Sequence, residues 1–126
     1  MRVLLDTHAL LWWLAEDPKL APDVCALIGR VDSEVHVSLA SCWELAIKVA
    51  TGKLRFPLDM LEGQLLLNRF QLLPITIAHI TAGATLPFHH RDPFDRMLIA
   101  QAQAEGLTII TRDARIDEYD VRCMKT

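Results

Sequence analysis

Val3-Leu4-Leu5-Asp6-Thr7-His8-Ala9-Leu10-Leu11-Trp12 is a short branched apolar run, then an acid and a hydroxyl residue, then a stretch with helical spacing. Its first three residues show no apolar/polar alternation, which suits a strand covered on both faces. The same pattern returns downstream. Apolar runs at Val35 to Val37, Leu72 to Ile75, Leu107 to Ile110 and, more weakly, Val121 to Met124 read as four further strands. Helical patterns lie between and around them, at His8 to Ala15, Asp23 to Val31, Ser41 to Ala50, Met60 to Phe70, Ala78 to Thr85 and Phe94 to Glu105. Pro18, Pro22, Gly52, Pro57, Pro93 and Gly106 punctuate them. Buried strands joined by helical crossovers predict a mostly parallel five-stranded sheet covered on both faces, a three-layer α/β/α sandwich. Residues 1–126 are expected to form one domain, without repeats or linkers.

Composition agrees with that reading and removes several alternatives. With 126 residues, 52% hydrophobic and 23% charged, the chain can build a full core without staples. Three cysteines, Cys25, Cys42 and Cys123, are an odd number with no C-x-x-C pair, so neither a disulfide framework nor a structural zinc site is indicated. A reducing cytoplasm is the expected compartment. Asp6 interrupts the apolar start before a secretory h-region is complete, and the longest uncharged stretch, Phe70 to His90, carries prolines, threonines and histidines unsuited to a membrane span. The net charge of −3 gives no broad basic field for nucleic acid, so any polyanion must be met locally.

In open parallel sheets ligands sit beyond the carboxyl ends of the strands, where the strand order reverses. Asp6 directly follows the first strand, Glu44 follows the second in Ser41-Cys42-Trp43-Glu44, and Asp113 follows the fourth in Thr111-Arg112-Asp113. Asp95 opens the helix that leads into the fourth strand. Each acid alone has an ordinary structural reading. Asp6 suits a helix N-cap, Ser41-x-x-Glu44 and Asp92-x-x-Asp95 look like capping boxes, and Asp113 suits a turn. Together they ask for more, because four clustered carboxylates without cations repel and raise one another's pKa. Asp95 also heads a buried stripe, with Leu98, Ile99 and Ala102 at i+3, i+4 and i+7.

Hard oxygen donors suit Mg²⁺ or Mn²⁺ rather than Zn²⁺. Removing the four acids from the 16 leaves 12 against 13 basic residues, so the remainder is +1 and the candidate site −4. Two divalent ions would cancel that charge, and paired metals are the recurring apparatus of phosphodiester cleavage. Hydrolysis of nucleic acid is therefore the leading expectation.

Three blocks carry a resemblance. Asp6 to Trp12, Ser41 to Leu54, and Leu86-Pro87-Phe88-His89-His90-Arg91-Asp92-Pro93-Phe94-Asp95-Arg96-Met97-Leu98-Ile99-Ala100-Gln101-Ala102, followed by Thr111-Arg112-Asp113, resemble PIN-domain ribonucleases, specifically the VapC toxins of bacterial type II toxin–antitoxin pairs. The resemblance spans almost the whole chain. It implies a metal-dependent endoribonuclease, a homodimer, and a small VapB-type antitoxin as partner. By position it makes Asp6, Glu44, Asp95 and Asp113 the family's acids, with Asp6 and Asp95 as the firmest metal ligands. Glu44 and Asp113 would complete the shell or orient water, and the family varies most at the last of the four.

Basic residues near the acids, with Arg96 and Arg112 preferred and Lys48 next, are candidates for phosphate contacts. The ordinary alternative is an i, i+4 pair of Lys48 with Glu44 and solvated arginines. Thr7 and Thr111 offer hydroxyls to water or phosphate beside the acids. The adjacent pair His89-His90 lacks helical ligand spacing and a third ligand, and reads as loop. Ala9 to Ala15 is apolar all round, so its helix needs cover on several sides, from a partner or from within the chain. A phosphatase of similar fold would want a second acid two residues after Asp6, where His8 stands; a receiver domain would want adjacent acids after the first strand. The remaining alternative is a non-catalytic RNA-binding or protein-interaction module of the same fold.

Overall fold

A computed structural model describes residues 1–126. Five parallel strands form one sheet: β1 (Arg2–Leu5), β2 (Glu34–Ser38), β3 (Gln71–Leu73), β4 (Thr108–Ile110) and β5 (Cys123–Met124), in the order β3-β2-β1-β4-β5. The helices are α1 (Thr7–Leu14), α2 (Pro22–Gly29), α3 (Leu39–Ala50), α4 (Leu61–Leu67), α5 (Ile77–Ala84) and α6 (Pro93–Glu105).

Period-two geometry divides the core in two. Val3 and Leu5 of β1, with Val35, Val37 and Ile110, face one core that takes in Leu10, Val24, Leu45 and Leu65 from α1 to α4. Leu4 and Ile109 face the other, with Leu98, Ile99 and Ala102 of α6. Burial of each such leucine or isoleucine contributes about 1.5 to 3 kcal/mol. The sheet is therefore the middle of three layers, as the alternating pattern required.

The boundaries differ from expectation where local chemistry decides them. α3 starts at Leu39, because Ser38 ends β2 and accepts the Ala40 N–H at 3.0 Å as N-cap. Ser41-x-x-Glu44 is therefore not a capping box: Ser41 is wholly buried inside the helix with an unpartnered hydroxyl, and Glu44 lies a turn further in. β3 stops at Leu73, since Pro74 has no N–H for the ladder. α4 ends at Leu67 rather than running to Phe70, and Arg69 turns the chain at φ 59°. α6 closes on Gly106 at φ 67°, a left-handed cap that glycine adopts without steric cost. α1 finds most of its cover within the chain: Ala9 and Leu10 are fully buried, and Leu11 to Leu14 pack half-buried on the first core. Trp13 donates its indole N–H to Asn68 Oδ1 at 2.9 Å.

Candidate active site

β1 is the centre of the sheet, with β2 and β3 on one side and β4 and β5 on the other, so the strand order reverses between β1 and β4. Asp6 follows β1 and Asp113 follows β4, which puts both acids at that reversal. Glu44 arrives from α3 and Asp95 from the first turn of α6. All four line one open cleft of about 800 Å³, together with Asp92, Lys48, Arg112, Lys19, His8 and Trp12.

Each acid is held by its element. Asp6 is the N-cap of α1, its Oδ1 accepting the Ala9 N–H at 2.8 Å. Glu44 Oε1 accepts the hydroxyl of the buried Thr7 at 2.5 Å, and its other oxygen stands 3.8 Å from Lys48 Nζ. Asp92 caps α6, accepting from Phe94 and Asp95 N–H, and Pro93 takes the first helical position. Asp113 accepts the Arg115 N–H at 2.9 Å and donates its own N–H to Thr111 Oγ1 at 3.0 Å. The structural and the chemical readings of these acids thus coexist in the same side chains.

Burial pushes the Asp95 carboxyl up to about 7, aided by the negative charges of Asp92, Glu44 and Asp6 and opposed by His90. Asp6 is raised as well, by burial, against hydrogen bonds from Thr111 and Ala9. Asp113 goes the other way: burial acts to raise it, but the Arg115 N–H and His90 together hold it below the usual carboxylate range. Two of the acids, Asp95 and Asp6, are thus raised mainly by burial, with neighbouring carboxylates adding to it.

The residue missed by sequence reasoning is His90. It does lie in a loop, as expected, but its ring is buried, and its Nε2 stands 2.9 Å from Asp95 Oδ2 and 2.9 Å from Asp113 Oδ2. Its Nδ1 accepts the Asp92 N–H at 3.3 Å, which leaves the proton on Nε2, facing the acids. His90, Asp95 and Asp113 are grouped closely enough to share one ion. A usable signal was present: His90 is two residues before the N-cap of α6, so the chain cannot carry it far from Asp95.

Arg96 requires a correction. It was expected to meet phosphate, but its guanidinium is buried away from the cleft. It donates to the carbonyls of Gly83, Leu86, Pro87 and His90 at 2.8 to 3.2 Å, with Phe88 stacked at 4.3 Å. A planar fork with five donors satisfies a turn's orphan carbonyls well, and that demand outweighs its attraction to the acids. Arg112 does line the cleft, held by the Lys19 carbonyl at 2.5 Å and Thr126 Oγ1 at 3.1 Å. Thr7 donates to Glu44, Thr111 accepts the Asp113 N–H and turns its own hydroxyl to Asp6, and Lys48 lines the cleft as well as pairing with Glu44.

The family model for the PIN domain matches residues 3–122. The chain belongs to the PIN-domain family. This PIN domain is 30% identical over 119 residues to Ribonuclease VapC22 of Mycobacterium tuberculosis, covering 93% of the chain and 91% of that relative. Among solved structures, VapBC2 from Rickettsia felis bound to a DNA fragment from its promoter superposes with a TM-score of 0.75 at 13% identity, covering 99% of this chain and 98% of that one. FitAcB from Neisseria gonorrhoeae does so with a TM-score of 0.68 at 22% identity, covering 98% and 96%. At those identities the likeness establishes the PIN fold and nothing finer. No helix of this PIN domain is long and apolar enough to cross a membrane.

Proposed function

We propose that this PIN domain is the toxin of a toxin–antitoxin pair, an endoribonuclease that depends on Mg²⁺ or Mn²⁺ and hydrolyses RNA phosphodiester bonds in the cleft of Asp6, Glu44, Asp95 and Asp113. The observation that carries the reading is the convergence of four carboxyls from four elements on one cleft, where burial and the neighbouring acids drive Asp95 up to about 7. Such a cluster fits a hard divalent cation, and the carboxylates of Asp6 and Asp95, supported by Glu44 and Asp113, would hold it. When bound, the ion supplies Lewis acidity to the attacking water and to the scissile phosphate.

The chain's own residues do the rest. Thr7 fixes the Glu44 carboxylate, so that Glu44 faces the cleft in one rotamer. His90 keeps Asp95 and Asp113 side by side. Lys48, Lys19 and Arg112 supply positive charge along the same wall, where a phosphate backbone approaching the acids would need it.

The partner reading has separate support. The relative at 30% identity is Ribonuclease VapC22, and VapBC complexes are among the solved structures of like fold, which favours a VapB-type antitoxin. Ile80 and Phe88, exposed at 47% and 77%, line one open groove, and Trp43 is exposed at 63%; a homodimer would cover such side chains. The free thiols of Cys25, Cys42 and Cys123 support a reducing cytoplasm as the compartment.

The test is to incubate antitoxin-free protein and its Asp6→Asn variant with total bacterial RNA, in Mn²⁺ or Mg²⁺ and in chelator, and to map new ends. Discrete cleavage by the wild type alone, lost in chelator, is the expected result. A folded, metal-loaded wild type that binds RNA without cutting it would instead favour the non-catalytic module.

A further inference from the structure

His8 and Trp12 are four residues apart on α1 and both line the acid cleft, their ring centroids 5.8 Å apart at 35°. Trp12 is the one hydrophobic side chain on a cleft lining that is otherwise charged or polar. Its indole carries the Arg112 guanidinium 4.6 Å from the ring centroid, and that guanidinium is pinned by the Lys19 carbonyl and by Thr126. His8 is exposed and makes no hydrogen bond within the chain's own side-chain network. Trp12 packs in part on the first core, and the rest of its indole opens into the charged cleft, with a fixed cation on it and an exposed imidazole beside it. It presents π surface beside the carboxylates.

We infer that this wall is a nucleobase subsite: an unpaired base next to the phosphate held at the acids stacks against His8 and Trp12, with Arg112 completing the platform. The inference rests on the nuclease reading and adds how the substrate is gripped. Stacking on aromatic side chains is worth about 1 to 3 kcal/mol per base and tolerates any base identity. It requires the base to be out of a helix, so the wall favours unpaired over duplex RNA at the cut.

Binding is measured apart from cleavage, in an Asp95→Asn background with Mg²⁺, by fluorescence anisotropy of a labelled single-stranded RNA oligonucleotide and of the same strand in a duplex. The expected results are tighter binding of the single strand, about 10- to 100-fold weaker binding by Trp12→Leu, a smaller loss for His8→Ala, and recovery in Trp12→Phe. An abasic position walked along the strand should, at one place, erase the difference between Trp12→Leu and its parent, which a purely structural role for the indole would not do. Unchanged affinity in a folded Trp12→Leu variant and in His8→Ala overturns the subsite. If Trp12→Leu fails to fold, His8→Ala and the abasic walk decide it alone. Metal-dependent cleavage of total RNA by the wild type, together with unchanged binding in these variants, would sink the subsite and leave the nuclease standing. A wild type that neither cuts nor binds would take both down.

Discussion

Asp95 and Arg96 are neighbours in the chain, yet the carboxylate of one lines the acid cleft while the guanidinium of the other is buried under the 83–90 turn. The helix separates a negative and a positive charge that would otherwise neutralise each other. The acid stays available to a cation, and the arginine becomes the anchor of the segment that carries His90.

Removing that anchor should therefore damage the fold more than a surface arginine would. Arg96→Met leaves the carbonyls of Gly83, Leu86, Pro87 and His90 short of a donor, at about 1 to 3 kcal/mol for each one that stays buried. A total loss of about 3 kcal/mol or more is expected, read as a lower midpoint in urea. A variant as stable as the wild type would show that water replaces the guanidinium without cost.

Asp95→Asn should keep the fold, abolish RNA cleavage and raise stability in chelator. The wild-type carboxyl sits in a place that disfavours its charge, so at pH 7.5 the variant should melt higher, by the equivalent of about 1 to 2 kcal/mol. Calorimetry in chelator and in Mn²⁺ checks it: the advantage should shrink or reverse with metal, because the ion stabilises only the protein that binds it.

The pH dependence follows with a definite sign. The native Asp95 holds its proton up to about 7, while an unfolded aspartate releases it near 3.8. Between those values the native state binds more protons than the unfolded one, so the metal-free protein loses stability as pH rises from about 4 to about 7. The raised Asp6 acts in the same direction, and the lowered Asp113 in the opposite one below pH 4. Urea midpoints in chelator should fall across that window, and Mn²⁺ affinity should rise across it as the proton ceases to compete. A flat profile would remove the burial argument for Asp95.

Much of this was legible in the sequence, for reasons that particular residues make plain. Val3 to Leu5 and Leu107 to Ile110 are buried on both faces, so their apolar runs carried no competing signal. Asp6, directly after such a strand, and Asp113, three residues after another, were locatable because residues there stand at the carboxyl end of the sheet. Arg96 misled because position next to Asp95 says nothing of which side of a helix a side chain leaves from, and four carbonyl acceptors from a distant turn are invisible in one dimension. His90 was hidden for the opposite reason, since loop residues have no periodicity that gives their direction.

His90→Gln tests that missed residue. Its N–H stands between two carboxylates, and a glutamine cannot both accept from Asp92 and donate to Asp113 in the same geometry. A loss of about 1 kcal/mol in chelator is expected, narrowing in Mn²⁺. Thermal melts under both conditions measure it; an equal loss in both would make the ring a packing element only.

The pairing of β1 with β4 sets Val3 beside Thr108 and Leu5 beside Ile110, contacts between the two ends of the sequence. A parallel pair so far apart is slow to form, and chains are synthesised from the amino end. Asp6 precedes Asp95 by 89 residues and Asp113 by 107, so it has neither to stand beside until those stretches have been made. The cleft is thus a timed assembly: a copy cut short before Asp113 lacks the full set of acids, and whatever chemistry the cleft performs can begin only after β4 has been made and has paired with β1.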